Sequence, residues 1–501
     1  MKHLPGLMIQ GTCSDAGKSF IVTGLCRLFS DMGYRVAPFK SQNMSNNSYV
    51  TPDCKEIGRA QGAQAEAARA IPSVYMNPIL LKPMMDTRSE VVLLGEVFRP
   101  MDGWEYHRGF TMEKGLQVIT TALDHLATQY DTLVIEGAGS PAEVNLNDRE
   151  IVNMRVARLA RVPVILIADI DRGGSFASLV GTLELVGEYR RYIKGVIFNK
   201  FRGDISLLQD GLDWFEEYTG IPVIGVMPYL DDVLIETEDA QSPQRLAKRS
   251  GLELLDIAVI ALRRVSNNTD VEPFIHELDV NVRIVRNAGE FGNPDAVIIP
   301  GTKSTLGDLE YLRTSGLDNA LADYAGGGGI IFGICGGYQI LGKSIDDPFG
   351  VDGSSDRSSL GLGLLPIATT FEQDKSVKQG TGRTVGSPFG GISVKGYEIH
   401  LGCTVVVPNA AEKPFIDLGS HSDGYVLGDG QIIGTYVHGI FDNDSFRSAW
   451  LNRVRERASF PIRAPVNTSA VKEKSFDRLA QACRDNLDIE KLLELMVVPV
   501  D

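Results

Sequence analysis

No apolar run in the 501-residue sequence approaches the roughly 18 residues needed to cross a bilayer, so no membrane span is expected. The first residues, MKHLPGLMIQGT, lack a long apolar stretch followed by a small-residue cleavage site, so no signal peptide is expected either. Positive charge is in short supply. Lys and Arg total 49 against 64 Asp and Glu, a formal net charge of −15. That balance argues against a nucleic-acid partner, which would need a Lys/Arg stripe to displace condensed counterions. Cysteine is sparse and scattered, at 13, 26, 54, 335, 403 and 483, with no CxxC pair. A disulfide framework and a zinc site are therefore not expected, and a reducing cytoplasm suits the chain. Internal repeats are missing too.

What is present is an ordinary globular composition, 43% hydrophobic and 23% charged. At about 150 residues per domain it allows two to four domains. Strand-length apolar runs at 7–9, 132–135, 163–168, 195–198 and 222–226 alternate with helix-like segments such as 18–32, 56–69 and 151–161. Alternation of this kind predicts a parallel sheet covered by helices on both faces, with its binding site at the carboxyl ends of the strands. A polar stretch at 236–251 reads as a linker between a domain over 1–235 and another over 252–501. The second domain repeats the α/β alternation, with strand candidates at 256–261, 282–285, 296–299, 329–334 and 432–437. The fold class is therefore α/β with two doubly wound domains. Gly- and Ser-rich stretches at 346–359 and 378–393 read as surface loops, and 475–496 as a helix closing the second domain.

After the first strand comes Gly11-Thr-Cys-Ser-Asp15-Ala-Gly17-Lys18-Ser19, and then a helix opens. This is the setting of a phosphate loop. Backbone N–H groups and the helix N-terminus face phosphate oxygens, Lys18 reaches the terminal phosphates, and the Ser19 hydroxyl ligates Mg²⁺. Five residues separate Gly11 from Gly17, where the common form has four. The strand 132–135 ends in Glu136, a carboxylate suited to complete the Mg²⁺ shell. Asp169, Asp171 and Arg172 follow another strand at the same sheet edge, and Asn199-Lys200 follow a third. The loop spacing and the Glu-Gly-Ala-Gly strand end resemble the dethiobiotin-synthetase-like branch of P-loop enzymes. The resemblance implies ATP as phosphoryl donor to a carboxylate. It places phosphate contacts at Gly17, Lys18 and Ser19 with Asp15 in the same loop, Mg²⁺ at Ser19 and Glu136, and adenine contact at Asn199.

In the second domain Gly333-Ile-Cys335-Gly336-Gly337 joins a buried strand to a helix, the thiol version of a nucleophile elbow. The helix start favours thiolate, and the N–H of Gly336 is a natural oxyanion donor. A thiol nucleophile wants a base. His438, just after an apolar strand, is the first candidate, with His400 and then His421 as competitors. These residues resemble a class I glutamine amidotransferase domain. The resemblance makes Gly301-Thr302 the oxyanion loop and gives Gln339 a part in holding glutamine. One feature departs from most members: His438 is followed by Gly439-Ile440 and not by Pro-Glu, so the acid orienting the base is missing there. Glu398 is a conceivable substitute.

Several strings resemble the cobyric acid synthase family across nearly the whole chain: Lys40-Ser-Gln-Asn-Met-Ser-Asn-Asn-Ser48, Asn77-Pro-Ile-Leu-Leu-Lys82-Pro, Ala168-Asp-Ile-Asp-Arg-Gly-Gly174, Asn199-Lys-Phe-Arg-Gly203 and Ser266-Asn-Asn-Thr-Asp270. The resemblance implies a glutamine-hydrolysing, ATP-dependent ligase that amidates the b, d, e and g carboxylates of adenosylcobyrinic acid a,c-diamide. Acyl phosphates and ammonia released at Cys335 would be the intermediates. The partners are then glutamine and a corrinoid polycarboxylate, with homo-oligomerisation left open. Gln42, Asn43, Asn46 and Asn47 are amides able to hydrogen-bond the propionate or acetamide arms of the corrin. The alternatives are cobyrinic acid a,c-diamide synthase, which shares both sites, and a non-corrin amidoligase such as a muropeptide-amidating synthase or CTP synthase. A MinD-type nucleotide switch leaves Cys335, Gln339 and His438 unexplained.

Overall fold

The structure, a computed structural model, describes residues 3–85, 87–233 and 254–500; the expected linker at 236–251 lies outside them. The chain forms two compact units. One is Met1–Ser45, Lys55–Glu238 and Ser469–Asp501; the other is Asn46–Cys54 and Asp239–Thr468.

The first unit is built on six parallel strands in the order Val223–Pro228, Ile193–Phe201, Val164–Asp169, Gly6–Gly11, Thr132–Glu136 and Val36–Phe39. Successive side chains point to opposite faces. Met8, Leu133, Ile135, Val164, Leu166 and Ala168 enter one core, while Leu7, Ile9, Val134, Ile165 and Ile167 enter another. Both faces are apolar, which is why these strands read as unbroken hydrophobic runs. The order reverses at Gly6–Gly11, so the loop after that strand opens at the switch point.

A second sheet in this unit, Gln42–Met44, Ile79–Met85, Arg88–Leu93 and Glu96–Asp102, was not foreseen from the sequence. Its core holds a buried ion pair between Lys82 and Glu56.

The C-terminal residues form two helices, Thr468–Asn486 and Ile489–Val497. They were expected to close the second domain but belong to the first unit. The reason is packing. Ala480, Cys483, Leu487, Leu492 and Met496 complete the core that contains Ile9, Leu25, Cys26 and Ile224. Arg27, buried in the helix Lys18–Asp31, pairs with Glu473 and Asp477, each at 2.7 Å.

The second unit has six strands in the order Val280–Val285, Leu255–Ile260, Ala296–Ile299, Ile330–Ile334, Ile432–Thr435 and Tyr425–Leu427; only the last runs antiparallel. The stretch at 378–393, expected as a loop, is strand over 378–384 and turns over 385–392 before the next strand begins at Ser393. Ile367–Thr384 pairs with Ser393–Val406, with Gly380 opposite Gly396 and Arg383 opposite Ser393. Its Gly and Thr content suggests a turn, but a backbone ladder does not need large side chains. Among the described residues no helix is long and apolar enough to cross a membrane, and the six cysteines are free.

If the C-terminal helices are part of the first core, Leu492→Ala should cost about 2–5 kcal/mol, the usual range for a buried leucine. Urea unfolding followed by the fluorescence of Trp214, which lies in the first unit, should show its midpoint fall. An unchanged midpoint would place those helices outside the core.

Candidate active sites

The loop between Gly6–Gly11 and the helix Lys18–Asp31 wraps around a left-handed Gly17, φ 98°. A Cβ there would collide with Asn199, so glycine is required on both counts. Asn199 Nδ2 donates to the Ala16 carbonyl at 2.9 Å, and Lys200 Nζ donates to the Asp15 carbonyl at 2.6 Å and to Asp169 at 2.7 Å. Arg172 stands 3.4 Å from Asp15. The acids and cations from neighbouring strand ends thus brace the loop from outside. Lys18 Nζ donates to the carbonyls of Cys13 and Gly139 at 3.2 and 3.1 Å, which holds it curled over the loop.

Glu136, at the tip of the adjacent strand, accepts from Ser19 Oγ at 2.8 Å, Lys40 Nζ at 3.0 Å and Gln64 Nε2 at 2.5 Å. Burial alone would favour its neutral acid. The Lys40 charge and the donated hydrogen bonds of Gln64, Lys40 and Ser19 outweigh burial and hold it below the ordinary carboxylate range. The Ser19 hydroxyl and the Glu136 carboxylate are hard oxygen donors within bonding distance of each other, a donor set that suits Mg²⁺. Lys40 and Gln64 were not singled out from the sequence. Lys40 stands just past the strand Val36–Phe39, at the head of the amide-rich segment, and that position is the signal available in the sequence.

In the second unit Cys335 takes φ 51° and ψ −108°, a strained turn between strand and helix. Gly337 packs where any Cβ would strike the Ile299 carbonyl, so the turn lies flat on the neighbouring strand end. Thr302 belongs to that same edge. A Cβ on Gly336 would sit 3.0 Å from its backbone nitrogen, and one on Gly301 would sit 3.1 Å from Cε1 of His438. Gly336 and Gly301, which flank this turn and His438, thus bring Cys335, Thr302 and His438 to one edge of the sheet. Gln339 is buried, with its Oε1 accepting from Thr305 at 2.9 Å and its Nε2 donating to Tyr436 at 3.1 Å.

His438 is 0% exposed. Its Nδ1–H donates to Asp270 Oδ2 at 2.7 Å, and Asp270 Oδ1 accepts the N–H of Gly439, also at 2.7 Å. The Cys335 thiol faces the Ile399 carbonyl at 3.7 Å and is close enough to the ring to act on its charge. Burial opposes the imidazolium, but the charge of Asp270, its hydrogen bond and the Cys335 contacts together raise the pKa of His438. Cys335, His438 and Asp270 thus have the geometry of a nucleophile, a base and an orienting acid. Asp270 fills the place that His-Pro-Glu would supply. It lies 168 residues before the histidine, and no spacing rule points to it. The signal was the missing Glu itself, which requires an acid from elsewhere.

Glu398 does not fill that place. It accepts from His421 at 3.1 Å and lies 3.9 Å from His400, and all three line a separate cavity of about 540 Å³. His400 stacks on Tyr436 at 3.8 Å. The four candidate amides are divided between the two units. Gln42 Oε1 accepts from Tyr106 at 2.5 Å and Asn43 donates to Gln61 at 2.8 Å, both within the first unit. Asn46 and Asn47 belong to the second, where Asn47 Oδ1 accepts the N–H of Asn268 at 3.0 Å.

Residues 7–242 match the CobQ/CobB/MinD/ParA nucleotide binding domain, and residues 256–446 match the CobB/CobQ-like glutamine amidotransferase domain. The chain is 49% identical to a cobyric acid synthase of Geobacillus thermodenitrificans, with 99% of this chain and 98% of that protein covered. It is 50% identical to one from Geobacillus sp. strain WCH70 and 48% to one from Geobacillus kaustophilus, with the same coverage.

With Asp270 orienting the base, Asp270→Asn should lower the kcat/KM of glutamine hydrolysis by up to about 10⁴, the loss when the orienting aspartate of a serine triad becomes an amide. Glu398→Gln should change it by less than about threefold, since it does not touch His438. Steady-state glutamate release decides the pair; the reverse ranking would remove Asp270 from this role.

Asp423 underlies the strand leading to His438 and accepts from Thr435 and from the Tyr436 N–H at 3.1 Å. Burial outweighs these bonds and raises its carboxyl to about 6. An acid whose folded pKa is raised holds its proton more firmly when folded. Its destabilising effect is absent below the unfolded pKa of about 3.9, grows between there and about 6, and is full above that, at most about 2–3 kcal/mol. Asp423→Asn should therefore raise the Tm at about pH 8 and leave it unchanged near pH 4, as calorimetry at both values would read.

Proposed function

The chain belongs to the cobyric acid synthase family, and from that premise we propose that it converts adenosylcobyrinic acid a,c-diamide to adenosylcobyric acid by amidating the b, d, e and g carboxylates. The observation that carries this reading is one chain holding both a Lys18–Ser19–Glu136 phosphate loop and a Cys335–His438–Asp270 constellation. Carboxylates do not react with ammonia, because oxide is a poor leaving group. Bound ATP with Mg²⁺ supplies phosphoryl activation. Ser19 and Glu136 would hold the metal, and Lys18 would exchange its carbonyl partners for the terminal phosphates. Lys40, already beside Glu136, would keep positive charge where the transferred group becomes more negative. The substrate carboxylate becomes an acyl phosphate.

In the second unit His438 takes the Cys335 proton, and the thiolate attacks the glutamine amide carbon. N–H groups at Thr302 and Gly336 face the oxygen that becomes negative. His438 then gives its proton to the departing nitrogen, and ammonia leaves. Water releases glutamate from the thioester. Ammonia attacks the acyl phosphate, forming the amide and releasing phosphate. Gln42 is half-buried in the first unit and remains the amide there best placed to meet a corrin arm. Free thiols throughout fit a reducing cytoplasm.

Mass spectrometry of the corrin product tests the reading. Incubation with the a,c-diamide, ATP, Mg²⁺ and glutamine should lower its mass by the hydroxyl-to-amine difference, four times over. Cys335→Ser should abolish this with glutamine and retain it with ammonium, whereas Lys18→Ala should abolish both. No product from the a,c-diamide together with turnover of the parent hexacarboxylate would assign the sister diamide synthase activity. Loss of the ammonium reaction in Cys335→Ser would overturn the division of labour.

A further inference from the structure

Asn267 precedes the helical stretch Asn268–His276 and takes a left-handed backbone, φ 53°. Its side chain is buried and both ends of its amide are used. Oδ1 accepts the backbone N–H of Ser48 at 2.8 Å, and Nδ2 lies 3.2 Å from Nε2 of His438. A backbone N–H can only donate, so it decides which way round the amide stands. The oxygen faces Ser48, and the NH₂ faces the imidazole. An NH₂ also only donates. Nε2 is then the acceptor, and the one ring proton is the Nδ1–H given to Asp270. The lone pair engaged by Asn267 is the one that Cys335 needs for its proton.

Ser48 lies in Asn46–Cys54, a strap that the chain inserts into the second unit between strands of the first. Within that unit the strap is tied down at several points. The Asn46 carbonyl accepts the N–H of Asn267 at 3.3 Å, Tyr397 Oη donates to the Ser48 carbonyl at 3.2 Å, and Gln379 Nε2 donates to the Val50 carbonyl at 2.6 Å. The Tyr397 ring in turn stacks on His438 at 5.4 Å. The strap therefore fixes the surroundings of the base from two sides.

We propose that Asn267 is a positioning residue that holds His438 in its neutral, Nδ1-protonated form, and that the Ser48 N–H of the strap sets the direction in which Asn267 does so. This rests on His438 serving as base to Cys335. Asp270 and Cys335 pull the ring toward imidazolium, and the Tyr397 ring and, beyond Gly439, Asp442 are the other titratable groups about it. The amide acts against that pull, because an Nε2–H would meet an NH₂ head on. If Ser48 withdraws, the amide is free to turn, and its oxygen accepts the Nε2–H of an imidazolium paired with a Cys335 thiolate. The strap thereby sets the fraction of Cys335 that is ionised before glutamine arrives.

Alkylation of Cys335 by iodoacetamide, read by peptide-resolved mass spectrometry on the full chain, measures that fraction with no nucleotide, corrin or glutamine present. Its outcome is therefore separate from that of the amidation assay. At neutral pH Asn267→Ala should alkylate faster than the wild type by up to about tenfold, one pK unit. Asn267→Asp should be faster still, because its carboxylate accepts from both Ser48 and a protonated Nε2. Loss of packing alone would not rank Asp above Ala. Wild-type protein gives an independent reading: its alkylation rate should rise steadily with pH and show no plateau on the acid side. A slower or unchanged Asn267→Ala, an Asp variant no faster than Ala, or an acid plateau in the wild type would each overturn the proposal.

Discussion

Asp270 has 1% of its side chain exposed, and the site of the second unit is arranged around giving that carboxyl group its hydrogen-bond donors. A bare charge at such a depth costs several kcal/mol. Two donors offset that cost, the His438 ring and the Gly439 N–H, and both come from the same short segment. The carboxylate thus fixes the ring plane and the backbone that carries it in one step. Strand pairing does the remainder, since His438 and Tyr397 exchange backbone hydrogen bonds at 2.8 and 3.2 Å. Cys335 is aimed independently, by a turn that only small neighbours permit. The first unit uses the same device for a different end. Glu136 is as deeply buried and is held by three side-chain donors, one of which is a lysine. There the surrounding donors keep the carboxylate charged at the place where a cation is to be shared.

The parts of this architecture visible in the sequence are those whose physics is local. Strands buried on both faces must be apolar throughout, so Val164–Asp169 and Ile330–Ile334 announce themselves. Turns that need left-handed or Cβ-free backbone leave glycines, which marked both the Gly17 loop and the Cys335 elbow. Chemistry at strand ends follows from the parallel topology and located Glu136 and His438. What was not visible depends on contacts distant in the chain. Nothing near Asp270 says that it faces a histidine 168 residues later. Likewise an amphipathic C-terminal segment declares that it needs a core but not which one. The long hairpin failed for another reason: Gly380 and Gly396 face each other in a ladder held by backbone groups, and composition is blind to those.

The amide-rich segment after Lys40 shows a structural use for the same chemistry. Amides there were read as partners for the arms of a substrate. In the structure Asn43 and Asn47 make hydrogen bonds inside the protein, to Gln61 and to the N–H of Asn268. The choice of amide over acid at such depth has a physical cause. A buried carboxylate can only accept and carries a charge that must be matched, as Glu136 and Asp270 show. An amide accepts at one end and donates at the other without net charge. It can therefore link two elements of opposite demand where no cation is at hand.

Asn267 is the case in which that property touches the chemistry. A serine or threonine there could not reach both Ser48 and His438 with fixed roles, because a hydroxyl rotates to suit either neighbour. An aspartate would accept from both and favour the charged ring. Glutamine would carry its amide one methylene further from the backbone and so off the line between the Ser48 N–H and His438. Asparagine alone among these presents a donor to the imidazole while its other end is pinned by a group that cannot reverse. The left-handed backbone at this position is compatible with the same choice, since asparagine tolerates it better than most residues other than glycine. Side-chain polarity, backbone conformation and the direction of the Ser48 N–H thus all favour one residue, and together they fix which nitrogen of His438 carries the proton.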